Sequence, residues 1–389
     1  MTLADSINGD GVRLRRYRLD DTADLIAACN DPLTLRFLPF MPDPYTDADA
    51  LSWITQDAGS SFASGGGNYA ITDPATDKLI GGVGIGDVRG GAGEIGYWVA
   101  PWARGRGVAR AANTALADHA LGEGGVGRLI LRTEFENTSS QRVAIASGFT
   151  RECVQRGGGT NRAGGRDDLI LWARLAGDLG EPIARLLPDL PGYGEGSLGE
   201  LRDDVVVLRP LVAADSADTF ALRALPDVIG TSVPPRAPDA AYIDRSCARS
   251  QALWLAGERA DFTVRDARTD RYAGEIGFYY FEPPTQQAMI GYSIHPEFRG
   301  MGYAKRAAQL VADWAFEHVG VARVVAGTAP DNIGSQRVLE RAAFVREGYQ
   351  RARLPGPDGT RIDDILYARI NPAIVAAAPP GQAASAMTP

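Results

Sequence analysis

Two glycine-rich segments, Arg104–Ala109 and Arg299–Ala304, show most directly what chemistry this chain could perform. Each follows an apolar, strand-like run and precedes an alanine-rich amphipathic stretch. A strand that turns through small residues into a helix gathers several backbone N–H groups at a helix N-terminus, which predicts a site for an anion such as a pyrophosphate. The chain has no Gly-Lys-Ser/Thr sequence, which excludes a Walker loop, and Ala109 and Ala304 replace the third glycine of a dinucleotide fingerprint.

Carboxylates near the first segment could accept a proton during a reaction. Glu94 opens the strand that leads into the segment, and strand alternation puts it on one face with Gly96 and Trp98. We predict Glu94 as a general base; the competing interpretation is a solvated carboxylate at a strand end. Glu134 and Glu136, which flank the end of the next strand, are the alternatives.

An Asn-x-x-Ser pattern occurs twice, as Asn137 to Ser140 and as Asn332 to Ser335. Asparagine at the end of a strand, with serine three residues later entering a helix, is typical of helix capping. Tyr97 and Tyr292, on the strands before the glycine-rich segments, are predicted to be core side chains.

These patterns come in pairs because the chain contains one domain twice. The two glycine-rich segments, the two Asn-x-x-Ser patterns and the Gly-Tyr pairs at 96–97 and 291–292 are all separated by 195 positions. A repeat of this length is a whole domain rather than an element of a solenoid.

The two copies differ at the predicted base. Met289 stands opposite Glu94 and cannot accept a proton, so Asp331, opposite Glu136, is predicted as the carboxylate of the second half. Glu275 occupies the position of Gly82 in the first half. It is another carboxylate that could act as the base of the second half.

The elements that position these residues follow the same order in each half. Apolar periodicity, turn residues and acidic helix starts predict β-α-α-β-β-β-α-β-α-β-β, an α/β fold whose mixed sheet carries helices on its faces. We predict an N-terminal domain at 1–175, a Pro- and Gly-rich linker at 176–201, a C-terminal domain at 202–371 and a disordered Ala/Pro tail at 372–389.

Composition argues against several classes of protein. The formal net charge of −8 over 389 residues opposes binding to nucleic acid or to an anionic membrane. No apolar run approaches the roughly 20 residues of a membrane span, and the N-terminus lacks the features of a secretory signal, which predicts a cytoplasmic protein. The three cysteines and three histidines show neither disulfide nor metal-ligand spacing, so no metal is expected.

Taken in order, the motifs resemble the GNAT superfamily of acyl-CoA-dependent N-acetyltransferases, and they do so in both halves. The glycine-rich segments match its Arg/Gln-x-x-Gly-x-Gly/Ala loop. Leu38–Pro42, Glu94–Val99, Asn137 to Ser140 and the Gly148-Phe149 pair are similar, in that order, to the branch that acetylates the N-termini of ribosomal proteins.

The resemblance implies two sites for acetyl-CoA or another acyl-CoA, with backbone N–H groups of the loops holding the pyrophosphate. The implied cofactor contacts are Val99, Arg104, Gly105, Arg106, Gly107, Val108, Ala109 and Asn137, and then Ile294, Arg299, Gly300, Met301, Gly302, Tyr303, Ala304 and Asn332. It also implies that Ser140 and Ser335 could donate a proton to the leaving sulfur.

The expected activity is transfer of an acetyl or other acyl group to a primary amine of a small molecule or a peptide N-terminus, through a ternary complex. The alternative is a non-catalytic or half-catalytic protein that binds acyl-CoA or scaffolds a partner. In this fold the first helices and Pro-rich segments line the acceptor side, where Phe40, Tyr45 and Trp53, or Pro234, Pro235 and Trp254, suggest apolar walls. Fusion of two copies predicts a monomer with a pseudo-twofold domain pair.

Overall fold

The computed structural model describes residues 3–194 and 197–377 and divides the chain into two compact units, Met1–Ala184 and Arg185–Pro389. The boundary falls inside the predicted linker. Residues 176–184 belong to the first unit, where the Ile183 N–H donates to the Ile145 carbonyl at 3.0 Å. Leu187 and Leu190 are buried in the core of the second unit.

The described residues of the first unit, 3–184, form eight strands and six helices. The strands are β1 Ser6–Gly9, β2 Val12–Arg15, β3 Gly67–Thr72, β4 Leu79–Ile85, β5 Ala92–Val99, β6 Arg128–Glu134, β7 Thr150–Thr160 and β8 Arg166–Leu175. The helices are α1 Thr22–Cys29, α2 Pro32–Phe37, α3 Asp47–Ser52, α4 Ala58–Ser60, α5 Val108–Leu121 and α6 Thr138–Ala146. A π-helical turn, Trp53–Asp57, joins α3 to α4.

The first sheet has the order β1-β2-β3-β4-β5-β6-β8-β7 and is antiparallel except between β5 and β6. This parallel pair is short, because only Ala92–Glu94 of β5 pairs with Arg128–Ile130 of β6. Beyond Glu94 both strands continue, but the ladder between them has ended. The sheet therefore opens between β5 and β6, and we call this opening the split.

The second unit repeats this plan. Its strands are β9 Tyr193–Gly194, β10 Ser197–Leu198, β11 Leu201–Arg202, β12 Val206–Pro210, β13 Arg259–Asp266, β14 Tyr272–Glu282, β15 Gln287–Ile294, β16 Arg323–Thr328, β17 Val345–Pro355 and β18 Arg361–Ile370. Its helices are α7 Ser216–Arg223, α8 Pro226–Thr231, α9 Ala240–Leu255, α10 Tyr303–Trp314, α11 Ile333–Arg341 and α12 Pro372–Ala377.

The second eight-stranded sheet has the order β11-β12-β13-β14-β15-β16-β18-β17, and β9 pairs with β10 in a separate small hairpin. Here too the parallel ladder is short, joining Gln287–Met289 of β15 to Arg323–Val325 of β16. The second domain therefore has a split at the corresponding place.

The predicted mixed sheets with helices on their faces are confirmed, with differences at the edges. The strand β1 was not predicted, because its sequence, SING, has no apolar alternation. Helix α2 was not predicted either, although Asp31 caps it and a proline opens it. Residues 372–377 of the predicted disordered tail form α12, and residues 378–389 lie outside the described part of the chain.

Each core lies between the sheet and the helix that follows the glycine-rich segment. Helix α5 buries mainly small residues, including Ala112, Ala117 and Ala120, which let it lie close to the strands. In the second unit, Trp314 of α10 is packed by Trp254, Phe262 and Phe278 at ring-centroid distances of 5.4 to 5.9 Å. Such tilted and edge-to-face pairs add to the stabilisation that burial gives.

A buried ion pair fixes the start of the first helical region. Arg15 is 5% exposed and Asp21 is 4% exposed, and the guanidinium donates to both carboxylate oxygens at 2.8 Å. Asp77, in the turn between β3 and β4, accepts from Arg15 Nε at 2.9 Å. The hydrogen bonds to Asp21 and Asp77 raise the pKa of Arg15, so it stays charged. The pair therefore joins β2, the approach to α1 and the turn after β3.

Two features are absent from residues 3–194 and 197–377. Within them, no helix combines the length and apolar character that a bilayer crossing requires. Nor does that part of the chain contain a group of three or more His, Cys, Asp or Glu side chains placed to hold a metal ion.

Asp21→Asn is expected to lower the free energy of unfolding of the first domain by about 3 kcal/mol, because it leaves a buried guanidinium without its main counter-charge. The matched control is Asp5→Asn, since Asp5 pairs with Arg16 at the surface and exposed pairs contribute about 0–1 kcal/mol. Urea denaturation, followed by amide hydrogen exchange in β2 and β3, measures both. Equal effects of the two substitutions would contradict the importance of the buried pair.

Candidate active site

The glycine-rich segments form tight loops in left-handed backbone conformations. Gly105 and Gly107 have φ of +73° and +75°, and Gly300 and Gly302 have φ of +74° and +87°. A Cβ atom added at any of these four glycines would meet nothing within 4 Å. Glycine is therefore required here by the backbone conformation, and the space beside each loop is open.

Each loop ends at the N-terminus of a long helix. Gly107 is the N-cap of α5 and Gly302 that of α10, and glycine has no side chain with which to cap the first turn. The first N–H groups of an α-helix lack partners within the helix, and the helix dipole favours an anion at this end. The loops therefore fit a pyrophosphate group, as the sequence predicts.

The side chains of several loop residues are used within the protein. Val108 and Tyr303 are buried, and the Tyr303 hydroxyl donates to Asp266. Only their backbone groups are thus available to a ligand. The side chain of Met301 is exposed.

The arginine at the start of each loop attaches the loop to the second helix of its domain. Arg104 donates to Asp31, the N-cap of α2, and to the Thr34 hydroxyl at 2.9 Å. Arg299 donates to Asp227 of α8 and, through Nε, to the Ile294 carbonyl at 2.8 Å. These contacts give both arginines a role in positioning the loop. The more exposed Arg106 lies 4.0 Å from Asp73.

The split lies beside the loops. Beyond its short ladder with β6, strand β5 continues through Ile95–Val99, with Gly96 exposed and open space where a side chain would project. Val99 and Ile294, at the ends of β5 and β15, lead into the loops. A strand edge that is not paired to a neighbouring strand can offer its N–H and C=O groups to an extended ligand.

A tyrosine–serine hydrogen bond crosses from each strand to the helix on the other side of the split. The Tyr97 and Ser140 hydroxyl oxygens are 2.7 Å apart, and those of Tyr292 and Ser335 are 2.9 Å apart. Burial raises the pKa of both tyrosines, to about 12 for Tyr292, so they remain protonated near neutral pH. Both tyrosines were predicted to be core side chains, and no local sequence signal indicates their pairing with serine.

Asn137 and Asn332 are helix caps, as their sequence pattern suggested. The Oδ1 atom of Asn137 accepts from the Ser140 N–H, and that of Asn332 accepts from the Ser335 N–H, both at 3.1 Å. The caps hold each serine in the first turn of its helix, next to the tyrosine. The side-chain oxygen of each asparagine thus has a structural role.

Glu94 and Glu134 lie on the same face of the sheet but in different surroundings. Glu94 is bound by Arg132 of β6 through both carboxylate oxygens, and its side chain is 40% exposed. The Glu134 side chain is only 14% exposed and accepts from Arg36 of α2 at 2.7 Å. Burial raises the pKa of Glu134 above its usual value, although Arg36 opposes this shift.

Arg36 also donates to Glu136 at 2.7 Å and so joins both alternatives to Glu94 in one cluster. Arg36 has no sequence signal that predicts this role, because it lies 98 and 100 positions before these carboxylates and in no recognisable motif. In the second domain Ala329 stands opposite Glu134, and Asp331 is exposed in the turn between β16 and α11. The second domain therefore does not reproduce this cluster.

The three aromatic side chains from which an apolar wall is expected in the first domain differ in their burial. Tyr45 is buried, and Trp53 packs edge-on against Tyr17 at 6.0 Å between ring centroids, whereas Phe40 is exposed. Trp254 is a correction, because it is buried in the core with Phe262 and Trp314 rather than lining the opposite face.

The chain is similar in sequence to proteins of a known family. The family model described as Acetyltransferase (GNAT) domain matches residues 12–150 and 206–345, together more than two thirds of the chain. Probable N-acetyltransferase YjcK of Bacillus subtilis (strain 168) is 35% identical over 116 residues, 30% of this chain and 64% of that protein. The ribosomal-protein-serine acetyltransferase of Escherichia coli (strain K12) is 34% identical over 83 residues, 21% of this chain and 45% of that protein.

The chain thus spans less than two thirds of the length of these relatives. Among solved structures, RimJ of Mycobacterium smegmatis in complex with CoA-disulfide aligns with a TM-score of 0.40 at 24% identity, over 44% of this chain and 86% of that one. Two matches to one domain family agree with the repeated loop, split and tyrosine–serine pair. The chain belongs to the GNAT acetyltransferase family, with one such domain in each half.

Proposed function

We propose that this protein is an N-acyltransferase that moves an acetyl or other acyl group from acyl-CoA to a primary amine. The observation that supports this most is the combination, in both domains, of an uncapped helix N-terminus behind a glycine loop and a split beside it. The loop suits the pyrophosphate of CoA, and the edge of β5 or β15 suits its extended pantetheine arm. Bound acyl-CoA would supply the acyl carbon, whose bond to sulfur breaks as the bond to the amine nitrogen forms.

The reaction also moves two protons. One group of the protein must accept a proton from the amine, and another must donate a proton to the leaving sulfur. Ser140 and Ser335 are the proposed donors to sulfur. Each hydroxyl is held by a tyrosine that stays protonated, so a proton given up by the serine can be replaced from the tyrosine. The cap formed by Asn137 or Asn332 fixes the serine for this role.

In the first domain we propose Glu134 as the acceptor of the amine proton, with Glu94 as the second candidate. A carboxylate whose pKa is raised by burial binds a proton more readily, and Glu134 lies on the strand across the split from Gly96. Glu94 precedes the split and is engaged by Arg132. In the second domain, Asp331 stays the predicted carboxylate.

The acceptor is proposed to be an amine of a small molecule or a peptide N-terminus. The similarity to a ribosomal-protein-serine acetyltransferase supports the peptide class. The negative net charge supports the exclusion of nucleic acid and anionic membranes as partners. A cytoplasmic location and a monomeric state remain predictions from the sequence.

A half-catalytic protein is the second candidate function. It is favoured by one observation: Met289 and Ala329 replace Glu94 and Glu134, so two of the three carboxylates near the split are absent from the second domain. Its loop and tyrosine–serine pair still suit acyl-CoA binding.

Two acyl-CoA molecules are expected to bind per chain, and Gly107→Glu is expected to remove one of them. The carboxylate would project into the open space beside the loop and repel the pyrophosphate. Gly90→Glu is the matched control, because Gly90 also has a positive φ, +58°, and open space around it, but lies in the turn before β5. Isothermal titration with CoA gives the stoichiometry, and a wild-type value of one or none would contradict the proposal.

Glu134→Gln is expected to lower kcat of the first domain at least 100-fold, with little change in acetyl-CoA affinity, because it removes a proton acceptor and keeps the shape. The measurement uses chains that carry Gly302→Glu, so that only the first loop binds acyl-CoA. Glu94→Gln is the matched comparison. A large loss confined to Glu94→Gln would assign the role to Glu94 instead.

Arg36→Gln is expected to move the acidic limb of the kcat/KM profile to higher pH. Arg36 lowers the pKa of Glu134 against the effect of burial, so its removal lets that pKa rise further. Activity needs the deprotonated carboxylate and is therefore lost at a higher pH as the solution is acidified. An unchanged acidic limb would show that Glu134 is not the group that titrates.

A further inference from the structure

A cluster of charged side chains occupies one face of the second sheet, on the side of α7. In the antiparallel ladder of β13 and β14, Arg259 lies opposite Tyr279, Asp261 lies opposite Gly277 and Thr263 lies opposite Glu275. Residues directly opposite each other in neighbouring strands project from the same face. This face thus carries Arg259, Asp261, Glu275 and Tyr279, and Arg223 at the end of α7 reaches it to bind Glu275.

Tyr279 connects this cluster to the split. A Cβ atom added at Gly291, the β15 counterpart of Gly96, would lie 3.8 Å from the Tyr279 ring. A Cβ atom added at Gly277 would lie 2.7 Å from the Tyr279 hydroxyl. The ring therefore lies over Gly277 with one edge near Gly291, so the face that carries the charged cluster borders the place where an acceptor must meet the acyl group.

The ion pairs in this cluster do not satisfy all of its buried polar atoms. Arg223 donates to both oxygens of Glu275 at 2.8 to 3.1 Å, and Arg259 donates to Oδ1 of Asp261 at 2.6 Å. Arg259 Nε and Asp261 Oδ2 are buried without a hydrogen-bond partner among the described residues. Asp261 is only 5% exposed, and an unpaired buried polar group is costly.

The two unpaired atoms call for a ligand that offers both an acceptor and a donor. Nitrogen Nε of Arg259 would donate to an anionic oxygen, and Oδ2 of Asp261 would accept from an N–H group. Burial raises the pKa of Tyr279, whose hydroxyl therefore stays available as a further donor. Two arginines and two carboxylates balance, so a ligand with one charge of each sign keeps the cluster neutral.

The first domain offers a different surface at the same place. Gly82 stands where the second domain has Glu275, and Trp98 stands where it has Ser293. Tyr17, Met41, Trp53, Ile54 and Trp98 pack there as a half-buried apolar wall. The two domains therefore share the loop and the split but differ in the surface that an acceptor would meet.

We propose that the second domain binds an acceptor that carries a carboxylate beside its amine, the class of free amino acids, whereas the first domain takes an amine on an apolar body. This inference rests on the proposed function and specifies its substrates. The acceptor's carboxylate is assigned to the arginine side of the cluster and its amino group to the Asp261 side.

Ligand-observed NMR without acyl-CoA tests this with two probes that differ by one group, alanine and ethylamine. Alanine is expected to bind the full-length chain at least tenfold more tightly than ethylamine. The double variant Arg259→Gln with Asp261→Asn, which removes both assigned contacts and leaves neither charge buried alone, is expected to abolish that preference. Arg268→Gln, at an exposed arginine in the turn between β13 and β14, is the matched control and is expected to keep it.

A transfer assay assigns the acceptor to a domain. Chains with Gly107→Glu are expected to keep acetylation of alanine, and chains with Gly302→Glu to lose at least nine tenths of it. Equal binding of alanine and ethylamine, or a preference that survives the double variant, would overturn the inference. Failure of the proposed function is distinguishable, because alanine would then bind with the expected preference while neither amine is acetylated by any chain.

Discussion

The short parallel ladder between β5 and β6, repeated between β15 and β16, is the constraint on which the rest of each domain depends. Three residue pairs hold the strands together, and the continuing strands then separate. Backbone N–H and C=O groups must find partners, so a strand edge left open in the middle of a sheet is retained only where water or a ligand can satisfy it. A short 3-10 turn leads from that strand into the glycine loop, which places the uncapped helix N-terminus at one end of the opening.

Duplication has kept this backbone arrangement while the surrounding charges have changed. Asp21 and Asp215 occupy equivalent positions before the first helix and are both buried, yet Asp21 binds Arg15 of β2 and Asp215 binds Arg265 of β13. The carboxylate has thus kept its place while the arginine has moved to the neighbouring strand. What the fold requires at this position is a compensated charge, because a buried carboxylate alone would be strongly destabilising.

Features that depend on neighbouring residues were predictable from the sequence, and features that depend on distant pairs were not. The glycine loops, the Asn-x-x-Ser caps and the strands β3 to β6 have local signals of composition and spacing. The contacts of Arg36 with Glu134 and of Arg223 with Glu275 join residues 98 and 52 positions apart. The Tyr97 to Ser140 contact spans 43 positions and depends on where the sheet opens, which strand periodicity does not reveal.

Gly82 and Glu275 show why the aromatic surface of the first domain and the charged surface of the second cannot occur together in one domain. In the first domain, a Cβ atom at Gly82 would overlap the Tyr17 hydroxyl and the Trp98 indole, so the aromatic wall exists only because no side chain stands there. In the second domain, Ser293 replaces Trp98 and leaves room for Glu275, which in turn needs Arg223 to balance its charge. An intermediate that gained a side chain at position 82 while it kept Trp98 would contain a steric overlap. Two domains with separate surfaces avoid this overlap, which gives a physical reason for a duplicated chain to keep two different surfaces on one fold.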